Sequence, residues 1–203
     1  MSLIPSSAKK IFQGHAYVVY QREQTLLDGA TALFDQVQRN DTVQVIATQD
    51  GKVLMSDEIQ PYVWRRTWLF GGHVDKGEDV LEAAKRELLE EAWCVSDDWV
   101  FVNTYEYKFG INRKVHYYLA RNCQKIQECG DRPGEKITVM QVSYEDFIAF
   151  VYQELFAHID LFPFIKIIID RHEAQKFISF LQWRDGNGSA KSTINQWIGY
   201  DTR

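Results

Sequence analysis

Long apolar runs are scarce in this 203-residue chain. The longest, near Leu161 to Ile169, is broken by Pro163 and Lys166, short of the roughly 18 apolar residues in a row that read as a membrane span. The opening residues, MSLIPSSAKK, lack the apolar h-region of a secretory signal. Cysteine is sparse: Cys94, Cys123 and Cys129 are an odd number with no second cluster to build a disulfide framework or a metal knuckle. A reducing, cytoplasmic setting with no membrane partner is the expectation. Basic excess is missing too. A formal charge of −5 offers no broad cationic face for extended nucleic acid, so a phosphate-bearing ligand needs metal ions or a few placed Lys and Arg. No internal repeat is present, and the sequon Asn187-Gly188-Ser189 reads as a turn in a cytoplasmic chain.

What the chain does have is core: 45% hydrophobic residues, including 14% aromatic, suffice for one substantial domain with an extension. Residues 11–20 and 32–38 read as strands of an N-terminal β-hairpin turning around Asp28-Gly29. Thr42 to Thr48 alternates, and Asp50-Gly51 signals a hairpin before Val53-Leu54-Met55. Trp99 to Tyr107, Lys114 to Ala120 and Lys136 to Val142 read as further strands. The loop from Phe109 to Arg113 follows closely enough to border a site. Ser143 and Asp146 open a helix through Phe156, with Phe147, Phe150, Val151 and Leu155 on one face. Pro163 to Trp183 suggests another helix, packed on the domain or on a second subunit of a homodimer. The expected organisation is an N-terminal β-hairpin region (1–40), a central domain (41–157) and a C-terminal helical extension and tail (158–203).

The densest segment is FGGHVDKGEDVLEAAKRELLEEAWC, Phe70 to Cys94. Asp79 with Glu82 three residues on makes a capping box, and Leu81, Ala84, Leu88 and Ala92 recur at helical spacing. At about 100° per residue, Glu87, Glu90 and Glu91 share an arc beside that apolar stripe. Three like charges so placed repel by a few tenths of a kcal/mol per pair on a solvated helix, which calls for a cation among them. Carboxylate oxygens suit Mg²⁺ or Mn²⁺, and no paired His or Cys offers a zinc set. A solvated acidic face would explain the glutamates but not the glycines and the acid at fixed intervals before them. Arg65 and Arg66 are either substrate-phosphate ligands or ordinary surface charge. His73, inside the segment, is a candidate for touching substrate, as is the Gly71 turn.

Gly72, Glu78, Arg86, Glu87, Leu88, Glu90, Glu91 and Cys94 fall in register with the box that defines the Nudix hydrolase superfamily, and the segment resembles it. The departure is Trp93, where that box has the glycine that ends the helix, so the helix is expected to end differently or run on a little. The resemblance implies an α/β/α sandwich with a mixed sheet. It also implies divalent metal held by Glu87, Glu90, Glu91 and the Gly72 carbonyl, with Glu78 pairing with Arg86 to hold the loop on the helix. The catalytic base is Glu87 or, from a later loop, Glu135. The order of elements, with Lys10-Ile11-Phe12 opening a strand and Gly134-Glu135-Lys136-Ile137 before the late strand, resembles the ADP-ribose pyrophosphatase branch. The expected reaction is cleavage of a nucleoside diphosphate linked to another moiety into two monophosphates. A nucleotide sensor without catalysis and a nucleoside triphosphate pyrophosphohydrolase are the rival readings.

Overall fold

The computed structural model describes residues 4–60, 63–107, 110–126 and 136–151, together with residues 179 and 181. Twelve strands are present among them: β1 (Lys9–Gln13), β2 (Tyr17–Thr25), β3 (Thr31–Arg39), β4 (Thr42–Gln49), β5 (Lys52–Gln60), β6 (Val63–Trp68), β7 (Cys94–Val95), β8 (Asp98–Glu106), β9 (Ile111–Asn112), β10 (Lys114–Arg121), β11 (Gln124–Lys125) and β12 (Lys136–Val142). Two helices accompany them, α1 (Val80–Ala92) after β6 and α2 (Tyr144–Val151) after β12.

The large sheet runs β12-β5-β4-β10-β8, with β6 also paired to β5. It is mixed, because β4 and β10 are parallel while the other pairs are antiparallel. Its centre is β4, whose residues from Thr42 to Thr48 are all buried. Successive side chains of a strand point to opposite faces, and two cores result. Val43, Val45 and Ala47 pack with Ala83, Ala84, Leu88 and Ala92 of α1. Ile46 packs on the other face with Val53, Met55, Leu119 and with Phe147 and Val151 of α2. This is the expected α/β sandwich, a mixed sheet with a helix on each face. Truncating Ile46 to alanine would cost about 2–5 kcal/mol, the range for a fully buried aliphatic.

The smaller sheet runs β1-β2-β3-β9. The stretch expected as one strand over residues 11–20 is two, because Gly14 N–H donates to the Tyr17 carbonyl at 2.9 Å and turns the chain there. The N-terminal hairpin is thus a three-stranded meander. Its second turn is as expected: Gly29 has φ of 86°, and Asp28 Oδ1 accepts from Ala30 N at 2.9 Å. Pairing of β3 with β9 is parallel, Val37 beside Ile111 and Gln38 beside Asn112. Both strands then lead straight into the large sheet, β3 into β4 and β9 into β10. Two chain segments therefore cross between the sheets side by side.

The β4–β5 turn places Asp50 at φ 49° and Gly51 at φ 75°, the pair of positive values that suits a tight hairpin. Of the expected C-terminal helix, Ser179 and Leu181 are described; both are helical, and Leu181 is buried beside Phe147 and Val151. Glu135, Cys129, Phe109, the sequon and the rest of the 158–203 extension lie outside the described residues.

Candidate active site

Local chemistry sets α1. Asp79 is its N-cap, and Asp79 Oδ1 accepts from Leu81 N at 2.9 Å and Glu82 N at 3.2 Å, satisfying two otherwise orphaned donors. Ala83, Ala84, Leu88 and Ala92 face the sheet. The helix ends at Ala92, and Trp93 itself takes the left-handed conformation at φ 52°, ψ 35°, with its N–H on the Leu89 carbonyl. The expected change of helix end does not occur. An ordinary side chain carries the backbone shape that glycine adopts freely, at a cost of roughly 1–2 kcal/mol, and the Ile126 N–H bond to the Trp93 carbonyl holds it there.

The glycine turn is pinned to the first half of β4. Val43 N–H donates to Gly72 O at 2.9 Å and Val45 N–H to Phe70 O at 2.8 Å, while Val74 N–H donates to Asp41 O at 2.9 Å. Between strand and helix there is no space for side chains. A Cβ on Gly71 would collide with the Val43 carbonyl oxygen and stand 2.9 Å from Gln44 Oε1; a Cβ on Gly72 would collide with Glu87 Oε1 and stand 2.7 Å from its Cδ.

Onto this turn α1 directs two carboxylates one helical turn apart. Glu91 Oε2 accepts from Gly71 N–H at 2.8 Å. Glu87, only 8% exposed, lies against Gly72. Arg86 ties the surrounding charges together. Its Nε and Nη2 donate to Glu78 at 2.9 and 3.1 Å, its Nη1 donates to Glu87 Oε1 at 2.8 Å and lies 3.7 Å from Glu90 Oε2, and its Nη2 donates to the His73 carbonyl at 3.0 Å. Glu78 Oε2 also accepts from Asp75 N–H at 2.9 Å. The Arg86 bond holds the Glu78 carboxyl below the usual range, helped by that backbone N–H. In return Glu78, then Glu87, raise the Arg86 guanidinium further above its already high value against the opposing effect of burial.

The structure thus brings Gly71, Gly72, His73, Glu78, Arg86, Glu87, Glu90 and Glu91 into one neighbourhood. Among the described residues no three His, Cys, Asp or Glu side chains stand together as a ready metal cage, since Glu87 turns to Arg86 and Glu91 to the Gly71 amide. The donor set nonetheless fits a hard divalent cation in kind: carboxylate oxygens from one helix face meet backbone at a turn where glycine allows close approach. Arg65 and Arg66 are placed differently. On β6, Arg65 makes a two-pronged contact with Asp57 at 2.7 and 2.6 Å, and Arg66 lies over the Trp68 ring at 5.0 Å.

Two arginines outside the motif act on the residues beside the turn. Arg113 Nη2 donates to Thr42 Oγ1 at 2.9 Å, and Thr42 is bridged to His73. The His73 imidazole, although part of it is exposed, is kept below its usual range by desolvation first, then by the charges of Arg39 and Arg113. In the sequence Arg113 stands out only as part of a bordering loop, and Arg39 carries no local motif.

The family model for the NUDIX domain matches residues 38–162. Among solved structures, one described as an ADP compounds hydrolase superposes with a TM-score of 0.67 at 16% identity, covering 84% of this chain and 94% of that one, which shows a shared fold. No curated protein matches in sequence.

Proposed function

This chain belongs to the Nudix family of hydrolases, and on that premise we propose that it cleaves the pyrophosphate of a nucleoside diphosphate linked to a sugar or similar group, releasing two monophosphates. The observation that carries the reading is the meeting of Glu87 and Glu91 with the Gly71–Gly72 turn. A water oxygen attacks phosphorus, the bridging P–O bond breaks, and the leaving phosphate departs with the electron pair while the water's proton goes to a base. Glu87, Glu90, Glu91 and the second lone pair of the Gly72 carbonyl would hold Mg²⁺ or Mn²⁺, which neutralises phosphate oxygens and lowers the pKa of a bound water. Glu87 is a third ligand or the base, Glu135 being the other candidate for that role. Arg86 and Glu78 hold the loop on the helix, so that the carboxylates face the turn before substrate arrives. The fold shared with an ADP compounds hydrolase favours ADP-ribose and nucleotide sugars as the first substrates to try.

The test is release of nucleoside monophosphate from ADP-ribose, nucleotide sugars, dinucleotides and nucleoside triphosphates with Mg²⁺ or Mn²⁺. Turnover of a diphosphate-linked substrate, falling by orders of magnitude in Glu91→Gln, is the expected result. Turnover of triphosphates alone would move the reading to a triphosphate pyrophosphohydrolase. No turnover of any of them would favour a sensor that binds without cleaving.

A further inference from the structure

Arg39 and Arg113 stand where the two chain segments cross between the sheets. Gln38 and Asn112 are register partners on parallel strands and bond each other through both side-chain amides and backbone; Arg39 and Arg113 are the next residues on the two chains, and the charges of both act on the His73 imidazole. Two like charges drawn toward one group repel each other. Here they receive no relief from a carboxylate: among the described residues neither guanidinium makes an ion pair, and Nε of each is buried without a hydrogen-bond partner. Asp41, the acid next in line on the crossing chain, is engaged with the Lys114 N–H at 2.8 Å and lies 3.9 Å from His116 Nε2. Arg113 is also held in place, by Thr42 Oγ1 and by stacking 5.4 Å from the Tyr107 ring centroid. Two half-buried guanidiniums without a carboxylate partner among the described residues, one of them fixed and both acting on His73, are an arrangement suited to an anion. Its location decides which anion: Thr42, which Arg113 holds, is bridged to His73, the residue following Gly72.

We propose that Arg39 and Arg113 form a two-guanidinium subsite for a phosphate group of the substrate, beside the carboxylate-lined glycine turn, with the N-terminal sheet supplying Arg39. The inference rests on the diphosphate-hydrolase reading for the identity of the anion. It deepens that reading by dividing the work: the glutamates serve one phosphate through a cation, and the arginine pair grips its neighbour directly. It also gives the N-terminal meander a role in substrate binding, because without β3 the pair is incomplete.

The test is calorimetric titration of the full chain with ADP, and separately with inorganic pyrophosphate, in EDTA, so that cation-mediated binding is absent. Wild type should bind both, and Arg39→Gln and Arg113→Gln should each weaken binding by about 10–100-fold, the range for losing a charge-assisted bond. The surface variant Lys52→Gln, at an exposed position on β5, should bind as wild type does. Because a cation without a carboxylate partner among the described residues is removed, Arg39→Gln should melt at or above the wild-type Tm, whereas Arg113→Gln also gives up its Thr42 and Tyr107 contacts; Arg39→Lys, which keeps the charge and loses the fork, should bind with intermediate affinity. In Mg²⁺ the same variants should raise KM more than they lower kcat. Equal affinity in wild type and both Gln variants, no binding in EDTA, or a Tm lowered by several degrees with unchanged affinity would each overturn the subsite. Arginine-dependent binding in EDTA without turnover of any substrate would leave the subsite standing while removing the hydrolase reading.

Discussion

Alanine at Gly72 would test whether this glycine is present to make space for Glu87. Gly72 does not have a positive φ, so its backbone suits alanine and the penalty is steric. The new Cβ would overlap Glu87 Oε1 and stand 2.7 and 2.9 Å from Cδ and Oε2. To clear it, Glu87 must leave its rotamer, at about 0.5–1.5 kcal/mol, and give up the Arg86 Nη1 bond at 2.8 Å, a charge-assisted contact of roughly 1.5–3 kcal/mol. Replacing glycine returns about 0.4–1 kcal/mol through the unfolded chain. The net loss is about 1.5–3.5 kcal/mol, or a Tm lower by roughly 3–14 °C for a chain of this length.

The discriminating experiment is a double-mutant cycle with Glu87→Ala, followed by urea and thermal unfolding in EDTA. In the Glu87→Ala background the collision vanishes and Gly72→Ala should become neutral or stabilising by up to about 1 kcal/mol. A coupling energy of roughly 2–4 kcal/mol is therefore expected. Additive losses, with Gly72→Ala equally harmful in both backgrounds, would refute the steric argument.

Removing the N-cap in Asp79→Ala should cost about 1 kcal/mol, read as a lower urea midpoint with unchanged slope. Asp98 bonds Arg121 at 2.7 Å, a guanidinium only 1% exposed; Asp98→Ala should cost about 1.5–3 kcal/mol by the same measurement, and a loss near zero would mean that the other partners of Arg121 suffice. The Glu78 carboxyl is held below its usual range in the folded protein by Arg86. Its stabilising contribution is thus present above the unfolded value of about 4.3 and is lost as pH falls through the lower folded value. Wild-type stability should fall more steeply than that of Glu78→Gln as pH drops from about 5 toward 3; parallel curves would remove Glu78 from the acid transition.

The parts of the fold that could be read in the sequence are those whose causes are local. Asp79 and Glu82 announce the start of α1, and Asp50-Gly51 announces the β4–β5 turn, because each signal lies within a few residues of what it builds. Gly14 to Ala16 turns the chain without an Asn-Gly or Asp-Gly pair, so β1 and β2 merged into one expected strand. The acidic face of α1 was legible for the same reason that Arg39 was not. Glu87, Glu90 and Glu91 are neighbours on one helix, whereas Arg39 is brought toward the site by a parallel pairing between residues 74 apart, Gln38 and Asn112. Trp93 shows another limit: glycine is favoured in the left-handed conformation, yet a backbone held at both ends by Leu89 and Ile126 imposes it on tryptophan.

The charge on α1 raised a question that the structure answers from within the chain. Three carboxylates at i, i+3 and i+4 need a cation, and Arg86, read from the sequence only as the partner of Glu78, also donates to Glu87 and lies 3.7 Å from Glu90. One guanidinium, shared with Glu78, thus offsets part of this charge within the chain, while Glu91 is held by the Gly71 N–H. Treatment with EDTA should leave Tm within about 2 °C of the untreated protein, about 1 kcal/mol at most by the size scaling. A hundredfold excess of Mg²⁺ over its Kd should add about 2.7 kcal/mol, a rise of roughly 5–11 °C. In Arg86→Gln the counter-charge is gone, so the chelated protein should be markedly less stable and Mg²⁺ should recover a larger share. Thermal unfolding of both proteins with and without Mg²⁺ decides the matter: a wild type that melts on chelation as readily as Arg86→Gln would show that Arg86 offsets none of the charge on Glu87 and Glu90.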